Sequence, residues 1–475
     1  MLITLKRFSV AVGLCAMTFV AGGATVQAAA QRTPDPPKQL CIGSKCVATP
    51  AAVTGGKVKW HPGHYGASAG IALAGDSISK FLPEMNEMLK DDWIVGYRLF
   101  ISWAALDHGP VTFTSSVGGA TSGKLTAATG DGNYWTAFSD GEYRTVTVKG
   151  TAASWSGALQ SGAGPSAHLY TTDMVDSVLS RLKSAYNKPK YLVLGLLPMS
   201  FAGGSKSAGD DGIVPLYITN SPQYGPSPDP SAYGWWGPPP GATKGTYTAA
   251  VYRPSVAARY AELGTALGAK YNSDPNFEGI MDQEDSAVKD NARVFPPSDG
   301  TYSDDAYIAA MKSYLTVWLA AFPNTNVIVQ NTWLAYPTST QQFEAWMLAN
   351  RIAPSGADAS GQSFYNAGHA YNSWGQAAYF GLVIPGSTWT GGPDMRGVAR
   401  AMMDVESGDI GSGTGGKINN TPLDIIIALN QTVKASHAFW SRYMGGTNPP
   451  TWALATATLR DNPLTNTGYP GNYPQ

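Results

Sequence analysis

Two glutamates that each follow an apolar segment could form a pair of acid and base groups. Residues 277–281 predict a short buried strand, and the next four residues, 282–285, are all polar and include Glu284. A second segment of the same form, 398–409, contains Glu406. A strand that ends in carboxylates is typical of a barrel strand that opens into an active site. We therefore expect Glu284 and Glu406 to face each other across one pocket.

The elements that would position this pair are eight apolar segments that precede predicted helices. Eight such units over about 400 residues predict an α/β fold, a (β/α)8 TIM barrel with enlarged loops. An open doubly wound sheet is the alternative, but it predicts a glycine-rich phosphate turn after an early strand, and the sequence has none. The predicted strands are 57–60, 93–101, 191–197, 277–281, 326–330, 357–363, 397–405 and 438–443.

Residues 110–168 interrupt this rhythm after the second predicted strand. They are rich in Gly, Ser, Thr and Ala, and they contain alternating segments such as 143–149 together with hairpin turns at 130–132 and 139–141. We predict a small β-rich insertion, which would act as a lid or sugar-binding flap or would be a loop without a function.

With this strand count, Glu284 follows the fourth strand and Glu406 the seventh. The arrangement resembles the clan A retaining glycoside hydrolases, which are (β/α)8 barrels, and aromatic strand ends such as Trp333 and Trp440 add to the resemblance. The resemblance implies that Glu284 is the acid/base and Glu406 the nucleophile. The sequence departs from the clan at Gln283, where the clan has an Asn that holds the sugar 2-hydroxyl.

Further side chains near predicted strand ends and in the long loop 202–250 are candidates for sugar contacts. Tryptophans can stack on sugar faces, although each is also a candidate for the core, and Arg98 and Tyr365 could keep Glu406 ionised. Four carboxylates compete with the two glutamates: Asp282, Asp285, Asp404 and Asp409. The candidate substrate-binding residues are Gln283, Trp60, His64, Arg98, Trp103, Trp235, Trp236, Asn331, Trp333, Tyr365 and Trp440.

The N-terminus has the pattern of a secretory signal peptide, residues 1–30, with Lys6 and Arg7 before an apolar run and a small-residue cleavage site at 28–30. We expect a secreted or periplasmic protein without a membrane anchor. Residues 31–55 predict a tether that carries a disulfide between Cys41 and Cys46. Residues 56–460 would form the barrel, including the insertion, and 461–475 a C-terminal tail.

The composition limits the kind of partner. Charged residues make up 14% of the 475 residues and the formal net charge is −1, which does not indicate nucleic acid or an anionic membrane. It suits a neutral polyhydroxylated ligand, and we expect a carbohydrate substrate, a monomer, no metal and no cofactor. Two alternatives remain open: a non-catalytic carbohydrate-binding protein, and a polysaccharide lyase that uses His61, His64 or His108 as its base.

Overall fold

The structure is a computed structural model, and it describes a subset of the chain. The described residues are 41–42, 45–46, 57–111, 123–124, 155–156, 158–161, 167–200, 212–226, 233–236, 247–282, 289–290, 293–294, 303–330, 343, 346–347, 349–356, 402–405, 421–427, 429–430, 435–441, 452–470 and 473.

Eight parallel strands form a closed barrel, as predicted. Each strand pairs with the strands before and after it in the chain, and the eighth pairs with the first to close the cylinder. Because all eight run in the same direction, their carboxyl ends lie at one face of the barrel. The strands are β1 (Gly63–Ala72), β2 (Ile94–Ser102), β3 (Tyr191–Leu197), β4 (Phe277–Asp282), β5 (Asn326–Gln330), β6 (Ile352–Gly356), β7 (Met402–Val405) and β8 (His437–Ser441).

Two predicted strands were misplaced along the chain. The first begins at Gly63, and residues 57–60 instead run beneath the barrel, where the amide of Lys59 donates to the carbonyl of Asn324 at 3.0 Å. The sixth is Ile352–Gly356, while the predicted segment 357–363 lies outside the described residues. Pro354 obscured this strand in the sequence, because proline is rare in the middle of a sheet.

The helices lie outside the barrel, and the two longest begin at residues that favour helix starts. Pro254 occupies the first turn of α5 (Pro254–Tyr271), where its missing N–H costs nothing. Ser303 caps α6 (Asp304–Ala321) by accepting a hydrogen bond from the amide of Ala306 at 3.1 Å. The helices are α1 (Leu82–Met88), α2 (Trp103–Leu106), α3 (Asp173–Ser184), α4 (Leu216–Thr219), α5 (Pro254–Tyr271), α6 (Asp304–Ala321), α7 (Pro422–Ile427) and α8 (Trp452–Asp461). Among the helices in the described ranges, none has the length and apolar character needed to cross a membrane.

Short strands extend from the loops. After β2, Asp107–Val111, Ala158–Ser161 and Ala167–Thr171 form an antiparallel three-stranded sheet, and Gly123–Lys124 pairs with Trp155–Ser156. The described parts of the predicted insertion are therefore β-strands. After β3, Met199–Ser200, Trp235–Trp236 and Tyr247–Ala249 form another small sheet. Lys289–Asp290 pairs with Arg293–Val294 after β4.

The predicted tether contains a two-stranded antiparallel ladder, Cys41–Ile42 with Lys45–Cys46. Cys41 and Cys46 are Cα partners in it. This register is compatible with the predicted disulfide, which stays a prediction because the two side chains are outside the described part of the structure.

The inside of the barrel is filled by one residue or two from most strands. Tyr65, Ala67, Val193, Met281, Ile328, Ala353 and Phe439 form this inner cluster, and all are buried. The alternate residues of the strands, such as Val327 and Val329, belong to the larger core between barrel and helices. This alternation, with a period of two residues, decides which strand residues face the inside.

Candidate active site

The carboxyl ends of the strands form the face of the barrel at which a barrel enzyme carries its catalytic residues. Glu284 comes two residues after Asp282, the last residue of β4, and Glu406 comes directly after Val405, the last residue of β7. Both glutamates lie outside the described residues, as do Gln283, Asn331, Trp333, Tyr365, Asp285 and Asp409. Their predicted roles therefore stay predictions. Asp404 is in β7, as the Cα partner of Phe439, and its side chain is outside the described part.

Arg98 lies inside the barrel, and its predicted role beside Glu406 stays a prediction. It is in the middle of β2 and only 2% exposed. The central carbon of its guanidinium group is 3.6 Å from the ring centre of Phe100 and 5.3 Å from that of Phe439. Stacking on aromatic rings holds the planar cation in one orientation. A positive charge fixed inside the barrel would favour the ionised form of a nearby carboxylate.

Gln330 and Ser355 are two polar residues at strand ends that the sequence analysis did not select. Gln330 ends β5 and Ser355 is the penultimate residue of β6, and they are Cα partners in adjacent strands. Both are fully buried. Gln330 comes two residues after Ile328, and Ser355 two residues after Ala353. Because Ile328 and Ala353 belong to the inner cluster and side chains alternate along a strand, Gln330 and Ser355 also face the inside of the barrel. The sequence signal that could have found them is a polar residue two positions after an inward apolar one.

Asp282 is a structural carboxylate, which corrects its place among the catalytic alternatives. It is fully buried and faces the helices instead of the barrel interior. The Tyr260 hydroxyl on α5 donates to its Oδ1 at 3.0 Å, and the Tyr314 hydroxyl on α6 donates to its Oδ2. Asp282 thus ties β4 to the two helices that flank it.

His64 and Trp440 pack against each other on the outer side of the barrel. The indole N–H of Trp440 donates to Nδ1 of His64 at 3.0 Å, and Nε2 of His64 donates to the carbonyl of Asn462 at 3.2 Å. Burial lowers the pKa of His64 to about 4, although the Asn462 carbonyl acts in the opposite direction, so the imidazole stays neutral at pH 7. Trp440 belongs to the core between the barrel and the helices, and His64 is bonded to it there, so neither side chain faces the barrel interior. Packing replaces their predicted substrate contacts.

Two other candidate tryptophans also pack in or beneath the protein core. Trp103, in α2, is fully buried, donates to Asp107 at 3.1 Å and contacts Tyr260. Trp60 lies at the opposite face of the barrel, where its indole donates to the carbonyl of Thr467 at 2.9 Å and its ring meets His437 edge-on. The predicted sugar contacts of Trp60 and Trp103 are therefore replaced by structural roles.

Trp235 and Trp236 lie in the small sheet that follows β3. Their Cα partners are Ala249 and Thr248, and Thr248 in turn pairs with Met199, two residues past the end of β3. Trp235 is 2% exposed and belongs to the core. The side chain of Trp236 is outside the described part, and it keeps its predicted role in sugar stacking.

A buried polar cluster closes the amino-terminal face of the barrel. Leu192 pairs with Phe277 and Val193 with Gly279, so Glu278 is an extra residue in a bulge. Glu278 is fully buried and accepts hydrogen bonds from the amide of His61 at 2.9 Å, from Nδ1 of His61 at 2.7 Å and from Nδ2 of Asn326 at 3.1 Å. Nε2 of His437 is 3.5 Å from its Oε1, at the limit of a hydrogen bond.

The ionisation of this cluster is fixed by its hydrogen bonds. Burial raises the pKa of Glu278, but hydrogen bonds from His437 and His61 outweigh it and hold the pKa at about 2. Burial also lowers the pKa of His437, against the influence of Glu278. Residues at this face of a barrel serve stability. His61 is therefore unsuited to the lyase alternative.

His108 does not support the lyase alternative either. It is 6% exposed, and its Nε2 is 2.7 Å from the hydroxyl of Thr171. Burial lowers its pKa to about 3, with Asp107 acting in the opposite direction. A base with this pKa is too weak to remove a sugar C–H proton at neutral pH.

The residues within the described ranges also contain no group of three His, Cys, Asp or Glu that could hold a metal ion.

A cavity of about 530 Å³ lies outside the barrel, next to the first turns of α5 and α6. It is lined largely by apolar residues, among them Pro254 and Ala310. Arg253 at its edge donates to the carbonyl of Tyr224 at 3.2 Å. None of the residues of the inner cluster lines it.

The fold and the site together define a closed eight-stranded parallel barrel with polar groups at the carboxyl ends of its strands. No family model matches the chain, and no curated protein matches it. One similar solved structure is a cycloalternan-forming enzyme from Listeria monocytogenes in complex with a pentasaccharide substrate. It has a TM-score of 0.38 and 13% identity, and the match covers 86% of this chain and 31% of that one.

Another similar structure is an alpha-amylase from Malbranchea cinnamomea. It has a TM-score of 0.36 and 10% identity, and the match covers 84% of this chain and 76% of that one. Because the first match covers 31% of the Listeria protein, the chain spans about a third of the length of that protein. No specific family is identified by these similarities.

Proposed function

We propose that this protein is a secreted glycoside hydrolase that cleaves a polysaccharide or oligosaccharide with retention of configuration. Glu284 is the acid/base and Glu406 the nucleophile. The proposal is supported by the barrel architecture, by the signal peptide pattern and by the positions of the two glutamates in the sequence.

The order of the strands is the observation that carries the proposal. β4 and β7 run parallel in one closed barrel, so the two glutamates follow strand ends at the same face. Consecutive Cα atoms are about 3.8 Å apart. Glu406 is therefore one such step from Val405, and Glu284 at most two steps from Asp282. Long side chains on opposite sides of a barrel mouth can converge on one substrate.

The chemistry needs two carboxyl groups in different states. Glu284 must be protonated to assist the leaving oxygen, and Glu406 must be ionised to attack the anomeric carbon. Retention requires the carboxyl groups to be roughly 5–5.5 Å apart. Arg98, buried inside the barrel, would help to keep Glu406 ionised. We assign sugar contacts to Gln283, Asn331, Trp333, Tyr365 and Trp236, as the sequence predicted.

The test begins with a hydrolysis screen of plant, bacterial and algal glycans. On a substrate that is cleaved, Glu284→Gln and Glu406→Gln should each reduce kcat by at least about 10³-fold, while binding of the glycan survives. Asp282→Asn is the matched control, because this carboxylate bonds to Tyr260 and Tyr314. Its kcat per folded molecule should stay within a few-fold of the wild type.

The stereochemistry tests the assigned roles separately. NMR of the first product should show the anomer of the substrate, and Glu406→Ala should regain turnover with azide, forming a glycosyl azide of inverted configuration. An inverted hydrolysis product would refute the retaining mechanism. Full activity in both glutamine variants would refute the catalytic pair, and glycan binding without any hydrolysis would favour the carbohydrate-binding alternative.

A further inference from the structure

Gln330 and Ser355 have buried polar atoms with unmet hydrogen-bonding capacity. The amide oxygen and nitrogen of Gln330 and the hydroxyl of Ser355 have no hydrogen-bond partner in the described part of the chain. Both residues are fully buried, and they are Cα partners on the inner face of adjacent strands. Burial of polar groups without hydrogen-bond partners lowers the stability of the fold. A protein that keeps such groups despite this cost often uses them for a function.

Asn326 is another inward-facing polar residue of β5, and its side chain does have hydrogen-bond partners. It begins β5, four residues before Gln330 and on the same face. Its Nδ2 donates to the carbonyls of Lys59 and Glu278 at 2.9 and 3.0 Å, and its Oδ1 accepts from the hydroxyl of Tyr473 at 2.7 Å. Within β5, the inward polar residue at the amino end is thus bonded, and the one at the carboxyl end has no partner within the described ranges.

The position of the pair in the barrel connects it with the proposed catalytic residues. β5 and β6 are the two strands between β4 and β7. Asp282 pairs with Val329, so Gln330 lies one position beyond that pairing, next to the carboxyl end of β4. Ser355 pairs with Met402, four residues before Glu406. The two polar residues thus lie on the arc of the barrel wall between β4 and β7, the strands that the two glutamates follow in the sequence.

We propose that Gln330 and Ser355 form a polar subsite that binds hydroxyl groups of the sugar unit held between Glu284 and Glu406. This inference rests on the proposed function and names two residues of the same site. A primary amide offers both donors and acceptors, and a hydroxyl offers one donor and two acceptors, which matches neutral sugar hydroxyls. The polar atoms of both side chains have no hydrogen-bond partner among the described residues, so a sugar hydroxyl would displace no existing bond there.

The experiment compares two apolar replacements with a matched control. Gln330→Leu and Ser355→Ala should each lower kcat/KM by about 10-fold or more on the glycan that the screen identifies, because each removes hydrogen bonds to bound substrate. Both variants should keep or raise Tm, since they remove unsatisfied buried groups. Asn326→Leu is the control and should show the reverse, a lower Tm with unchanged kcat/KM. Ser355→Thr keeps the hydroxyl and should restore most of the activity.

Each result separates this inference from the proposed function. If Gln330→Leu and Ser355→Ala both keep the wild-type kcat/KM, the inference is overturned. If Glu284→Gln loses activity in the same series, the proposed function still stands. If no glycan is cleaved, binding of cellotetraose, maltotetraose, laminaritetraose and xylotetraose is read as a shift in Tm. A shift in the wild type that Gln330→Leu abolishes would support the subsite without catalysis. An equal shift in both proteins, or none in either, would overturn it.

Discussion

Replacing Glu278 with glutamine is expected to destabilise the fold strongly at neutral pH. Glutamine has the shape of the protonated carboxyl, so this variant removes the charge and keeps the volume. The pKa of Glu278 is about 2 instead of 4.5, a difference of about 2.5 units. At about 1.4 kcal/mol per unit, the ionised carboxylate contributes about 3 kcal/mol to folding at pH 7.

The pH dependence of this loss distinguishes charge from packing. A carboxyl with a lowered pKa stabilises the fold fully above its unfolded pKa, and this contribution is lost as the pH falls from 4.5 towards 2. The free energy of unfolding should therefore differ between wild type and Glu278→Gln by about 3 kcal/mol at pH 7 and by about 2 kcal/mol at pH 3.5.

Urea unfolding followed by tryptophan fluorescence measures both values. Asp461→Asn is the control, because Asp461 is an exposed carboxylate that pairs with the exposed Arg460. It should leave the unfolding midpoint unchanged. Equal stability of Glu278→Gln and wild type at pH 7 would refute the reasoning, and so would a difference that is the same at both pH values. Since Glu278 lies at the amino-terminal face, any hydrolysis of glycans should persist in the folded variant.

Three further predictions concern buried residues. His64 has a lowered pKa, so it stays neutral in the fold while the unfolded chain takes up a proton below pH 6.5. The free energy of unfolding should therefore fall by about 1.5 kcal/mol between pH 6.5 and 5 through this residue, and a flat profile would contradict this. Gly96→Ala should cost about 1–3 kcal/mol in urea unfolding, because its Cβ would overlap the carbonyl oxygen of Tyr191; unchanged stability would show that the strands can separate there. Asp282→Asn should cost about 1–3 kcal/mol by weakening its bonds to two tyrosines, and a variant as stable as wild type would show that these bonds contribute little.

The order of elements could be predicted from the sequence because it depends on local pattern. Tyr191–Leu197 and Asn326–Gln330 are apolar runs bounded by turn signals, and their predicted bounds were correct. Eight such runs, each followed by a predicted helix, were sufficient to predict the closed barrel. The sixth strand was displaced because Ile352–Gly356 contains a proline, which weakens the local signal.

The direction in which each side chain points was not available from the same pattern. In β8, Phe439 and Trp440 are adjacent aromatic residues, and either could face the barrel interior. The structure places Phe439 inside and Trp440 against the helices, where it bonds to His64. Similarly, the bulge at Glu278 reverses the alternation along β4, which brings Met281 inside and turns Asp282 towards Tyr260.

The number, order and direction of the barrel strands follow from the residue pattern, because periodicity and chain connectivity are local properties. Which polar residues have hydrogen-bond partners depends on how the chain is folded. Asn326 and Gln330 stand on the same face of one strand, yet Asn326 is bonded to residues far away in the chain, such as Tyr473, and Gln330 is bonded to none of the described residues. Hydrogen-bond satisfaction depends on which distant segments meet, and no local pattern contains that information.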